Sequence, residues 1–108
     1  MRYHVAAIKG TEYRGDLYHT LRPGNLLILR RESSNRYDSN AVAVDATAPS
    51  WHGQQKHIGY VSKGLAQYLG PALDAGERIA AIYIGEQFGP QMLILRGIQS
   101  SELEQGFN

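Results

Sequence analysis

The segment "NRYDSNAVAV", Asn35 to Val44, sets an amide, a guanidinium, a phenol and a carboxylate side by side just ahead of an alternating apolar run. Asn and Asp in such a loop bond their own backbone, so Asn35, Asp38 and Asn40 suit an Asx-turn that ties down the entry to a strand. A tyrosine on an exposed loop is harder to assign to a core. Tyr37 reads either as a lid over the end of the fold or as a face on which a flat ligand stacks, with Asp38 free to accept a hydrogen bond.

Other chemistries fit the sequence poorly. The loop lacks the central glycine and closing glutamate of a calcium hand, with Ala46 at the twelfth position. His4, His19, His52 and His57 show no zinc-ligand spacing. No G-x-S-x-G nucleophile signature and no phosphate-binding Walker motif occurs. The chain has no cysteine, which removes disulfides, iron–sulfur clusters and thiolate zinc sites. These patterns predict a module that is not an enzyme and holds no cofactor or metal.

The elements that must position such a loop follow from size and pattern. With 108 residues, 43% of them hydrophobic and 19% charged, the chain suits one folded domain. No apolar stretch reaches the roughly 20 residues of a membrane helix, and the first residues lack a signal-peptide pattern, so no membrane contact and a cytoplasmic location are expected. Net charge is +1, yet residues 1–63 carry nine Lys/Arg against five Asp/Glu and residues 64–108 carry two against five. An anionic partner would meet the first part; a merely solvated charged face gives the same pattern.

Tyr3–Gly10 reads as a first strand, and Asn25–Glu32 as a second whose near-continuous apolar run suggests burial on both faces or a barrel position. Ala41–Ala46 and Lys56–Val61 are the third and fourth, joined by "TAPSWHGQQ", an exposed and mobile connection in which Trp51 is either a cap or an added stacking surface. Ser62 is an N-cap, Gly70-Pro71 interrupts the helical pattern, and Gly76 stops it, giving two short helices at 63–69 and 71–75. Two more strands, 77–85 and 91–98, enclose the loop "EQFGP", and "LILR" occurs at both Leu27–Arg30 and Leu93–Arg96. The expected fold is mostly β: a six-stranded barrel, closed or nearly so, with one or two short helices between strands four and five plugging one end. Residues 1–98 form the domain and 99–108 a polar tail.

"LRPGNLLILRRESSNRYDSNAVAVDA", "HIGYVSKGLAQYL" and "LDAGERIAAIYIG" resemble the HIRAN domain, from about Val5 to Ile98. The most specific piece is Asn-x-Tyr-Asp-x-Asn-Ala followed by Ile-Gly-Tyr-Val and a lysine. The resemblance implies an OB-like barrel that captures the 3′-hydroxyl end of single-stranded DNA in repair, fork processing or mobile-element metabolism, as a monomer beside a helicase or nuclease. It places Tyr37 and Asp38 at the terminal nucleotide, Tyr13 as a second aromatic, Lys63 at the backbone, Tyr60 in the pocket, and Phe88 on a late loop.

Physical chemistry agrees with those roles. Stacking contributes roughly 1–3 kcal/mol per base without demanding sequence, and Tyr13 and Tyr37 would sandwich one base. A terminal sugar differs from an internal one by a free hydroxyl, which Asp38 would accept while repelling a phosphate. Lys63, in the first helical turn, would meet a phosphate farther in, and Arg14, Arg31 and Arg36 would extend the track. Asn35 and Asn40 would chiefly hold the loop. Glu12 beside Tyr13 puts negative charge where a DNA binder would prefer positive. A protein-interaction module that kept the barrel and lost the pocket is the main rival; a small hydrolase or nuclease would need a metal-binding carboxylate cluster.

Overall fold

A strand buried on both faces needs a neighbour on each side and cover above and below. In the computed structural model, which describes residues 2–97, that strand is the third, from Val42 to Thr47. The strands are β1 (Arg2–Ala7), β2 (Leu26–Arg31), β3 (Val42–Thr47), β4 (Gln55–Tyr60), β5 (Ala80–Glu86) and β6 (Pro90–Arg96); the single α-helix, α1 (Lys63–Asp74), lies between β4 and β5. All are in one antiparallel sheet of order β1-β6-β5-β2-β3-β4. Val42, Val44 and Ala46 point into a core with Ile58, Leu69, Met92 and Ile94, all fully buried. Asp45, on the other face of β3, is also buried and is covered by the side chains of Arg30 and Gln55.

Three expectations are corrected. The sheet is not closed into a barrel: its edge strands β1 and β4 approach at one end only, where Lys9 and Tyr60 form an isolated bridge with both N–H to O distances at 2.8 Å. The second strand is not buried on both faces, for Leu27 is buried while Leu26 is 68% exposed. It alternates.

The helical content is also distributed differently. Instead of two short helices plugging a barrel end, α1 runs unbroken through Pro71 and packs on β2 and β3. A proline removes one helical hydrogen bond and clashes with the Cβ of the residue before it; Gly70 has no Cβ, so the chain stays helical. Ser62 caps the helix start by accepting a bond from the Leu65 N–H at 3.4 Å, and Gly76 follows its end at φ 86°. Short 3-10 turns occupy Thr11–Arg14, Leu17–Thr20 and Pro49–Trp51. The last of these lies in the connection expected to be exposed: most of its residues are exposed, but Ala48 and Trp51 are buried in the core, so Trp51 is a cap and not a stacking surface, and Lys56 Nζ lies 5.4 Å from its ring centroid. No helix among the described residues is long and apolar enough to cross a membrane. The tail 99–108 lies outside the described residues.

Candidate functional site

Where the two sheet edges approach, four pieces of chain meet: the turn after β1, the β2–β3 loop, the end of β4 and the start of α1. They enclose a cavity of about 570 Å³ lined by Tyr13, Arg14, Asn35, Tyr37, Asp38, Tyr60 and Lys63, with Gly10, Ala41 and Val61. That volume is within the range of ligand pockets, roughly 300–1,000 Å³.

Each wall has a local cause. Gly10 adopts the left-handed conformation at φ 68°, which turns the chain out of β1 into the Thr11–Arg14 turn. Tyr13 N–H donates to Gly10 O at 3.1 Å, leaving the ring 83% exposed on the rim. Thr11 is buried beneath, and the chain can come this close to β4 because residue 59 is glycine. A Cβ there would lie 2.6 Å from Lys9 O and 2.7 Å from Ile8 Cγ2.

The opposite wall is the Asn35–Asp38 loop. Asn35 Oδ1 accepts the N–H of Tyr37 at 2.9 Å and of Asp38 at 3.1 Å, and Asp38 Oδ1 accepts the Asn40 N–H at 2.9 Å. The Asx-turn expected from the sequence is therefore present. Asp38 is half-buried, and its second oxygen meets no donor among the described residues. Tyr37 stands 82% exposed with the Arg36 guanidinium 5.5 Å from its ring centroid. The far end of the loop presses on α1: Gly70 is buried there, and a Cβ on it would lie 2.7 Å from Asn40 O.

Tyr60 lines the cavity, and Glu32 holds it from outside the lining. Tyr60 donates its hydroxyl to Glu32 Oε1 at 2.8 Å, and the same oxygen accepts from Asn35 Nδ2 at 3.0 Å. Burial and the bond to Glu32 push the Tyr60 hydroxyl above its ordinary range, so it remains a donor. Burial would raise the Glu32 carboxyl, but the bonds from Asn35 and Tyr60 and the Arg30 charge outweigh it and hold the group below its usual value. Arg30 in turn grips Asp45 through two bonds of 2.7 and 3.2 Å.

Seven of the residues anticipated from the sequence, Tyr13, Arg14, Asn35, Tyr37, Asp38, Tyr60 and Lys63, thus share one cavity. Arg36 stacks on Tyr37 instead of lining it, and Phe88, fully exposed at the β5–β6 turn with φ 56°, stands apart from it. Arg31, expected on the cationic track, is committed to Asp74 at 3.1 Å through two nitrogens and to Ala41 O at 3.1 Å. Glu32 escaped sequence reasoning because an acid at the end of a strand carries no pattern of its own. Among the described residues, no group of three or more His, Asp or Glu side chains is placed to hold a metal.

The HIRAN domain family model matches residues 1–87. The chain belongs to the HIRAN domain family. A HIRAN domain is a nucleic-acid-binding module. The structure is similar to the HIRAN domain of human HLTF at 20% identity, with 85% of this chain and 72% of that one covered and a TM-score of 0.67. It is also similar to a protein from Lactobacillus plantarum at 25% identity, with coverage of 88% and 97% and a TM-score of 0.67. No curated protein matches the chain.

Proposed function

We propose that this HIRAN domain binds the 3′-hydroxyl end of single-stranded DNA, as a monomer, alongside a helicase or nuclease in repair, fork processing or mobile-element metabolism. The observation that carries this reading is the convergence of two exposed tyrosine rings and one half-committed carboxylate on the rim of a single cavity. Tyr13 and Tyr37 offer stacking faces. Asp38 offers its free oxygen to the terminal hydroxyl, and its charge disfavours a phosphate in that place. Lys63 and Arg14 supply cations for the backbone, with Lys63 at the first turn of α1, where the N–H groups also favour an anion. Arg36, held against Tyr37, and Phe88, at a solvent-exposed turn, would meet nucleotides farther along the strand, outside the cavity.

The test is fluorescence anisotropy with a short oligonucleotide ending in a 3′-hydroxyl against the same strand ending in a 3′-phosphate. The hydroxyl end is expected to bind more tightly, and Tyr37→Ala and Asp38→Ala should each weaken it by about 1–3 kcal/mol. Equal affinity for the two ends removes the role of Asp38. No binding at low salt leaves the protein-interaction module, which the net charge of +1 favours.

A further inference from the structure

The cavity has two walls that are distant in sequence, and one oxygen atom touches both. Glu32 Oε1 accepts from Tyr60 on β4 at 2.8 Å and from Asn35 at the head of the loop at 3.0 Å. Asn35, held in this way, uses its own Oδ1 to fix the backbone of Tyr37 and Asp38. Glu32 is itself fixed from behind. Its N–H donates to Ala41 O at 2.9 Å, closing the base of the loop, and its Oε2 meets Arg30 at 3.3 Å, which is anchored on buried Asp45. The connection therefore runs from the sheet interior to the two residues of the rim without a gap.

We infer that Glu32 is a positioning residue: it sets the separation of the Tyr60 wall from the loop bearing Tyr37 and Asp38, and its effect on strand-end affinity rests on the function proposed above. What matters in this role is an acceptor oxygen at the right reach. Glutamine supplies one, giving up the charge and the contact with Arg30, which keeps its two bonds to Asp45. Aspartate keeps the charge but is shorter by about 1.5 Å, too short to hold both donors. A role in charge balance or general stability ranks these variants the other way round.

Amide hydrogen exchange of the full chain reads the geometry directly, with or without DNA. Glu32→Asp and Glu32→Ala should speed exchange at the Tyr37 and Asp38 amides about tenfold while leaving Val44 in β3 unchanged, and Glu32→Gln should stay within about threefold of the parent. Affinity for the 3′-hydroxyl oligonucleotide should follow the same order. The reverse order, with Asp like the parent and Gln impaired, overturns the inference, as does acceleration spread evenly over β3. If Glu32→Ala does not fold, the Asp and Gln pair decides alone. If the parent binds no oligonucleotide, the proposed function fails, and the exchange order still tests Glu32.

Discussion

Replacing Gly59 by alanine adds one carbon at the tightest point of the molecule. The new Cβ would sit 2.6 Å from Lys9 O, 2.7 Å from Ile8 Cγ2 and 3.2 Å from Thr11 Cγ2. Carbon contacts relax near 3.5–4.0 Å, so the segment after β1 must retreat by roughly 1 Å. Neither of the two closest atoms is the far end of a flexible side chain. The retreat breaks the reciprocal Lys9 and Tyr60 pair, whose two hydrogen bonds are worth about 1 kcal/mol each, and the overpacking adds about 1–3 kcal/mol. A destabilisation of about 3–5 kcal/mol is expected, with a fall in melting temperature of roughly 10–40 °C for a domain this small. Urea titration followed by the fluorescence of Trp51, the single tryptophan and a buried one, measures it. Gly64→Ala is the control, since a Cβ there meets nothing within 4 Å. A Gly59→Ala protein within about 0.5 kcal/mol of the parent would refute the reasoning.

Two further outcomes follow from the buried charges. Asp45→Ala leaves Arg30 and Gln55 without their acceptor beside a buried strand; with Arg30 partly open to solvent, a loss of about 2–3 kcal/mol is expected in the same titration. Stability should also fall in two stages with acid. Burial holds His57 below its ordinary value, so the stability it contributes is complete above pH about 6.5 and declines as pH drops toward the lower folded value. Against the cost of burial, Asp45 and Glu32 are lowered by their bonding partners, and Glu77 is lowered chiefly by Arg96; their contribution is lost only below the usual carboxylate range, near pH 4. His57→Gln should flatten the first stage and leave the second, as unfolding free energies measured from pH 7 to 3 will show.

Local patterns were legible where one residue type decides the structure. Ser62 and Gly76 bound the helix, and Asn35 and Asp38 make their Asx bonds, because these preferences act within a few residues. The repeated "LILR" falls on β2 and β6, which flank β5, and Arg30 and Arg96 each grip a carboxylate through two nitrogens. Illegible features depended on distant partners. Pro71 signalled a break that Gly70 removes, and Gly70 serves equally to admit the Asn40 backbone, a contact across thirty positions of sequence. Trp51 sits in a polar stretch, but a single 3-10 turn is enough to send it inward. Closure of a barrel depends on how far six strands curl, which no short window encodes. Asn35, Tyr37, Asp38, Tyr60 and Lys63 fall in two short motifs that the sheet brings to one cavity, whereas Tyr13 and Arg14 reach it from outside both.

The Lys9 to Tyr60 bridge joins strands at opposite ends of the sheet order, so the gripping surface exists only when every intervening strand has taken its place. Under the proposed function, a copy with either margin peeled away would lose one side of the cavity, so a ligand that binds only the intact fold would stabilise the pairing of the two margins.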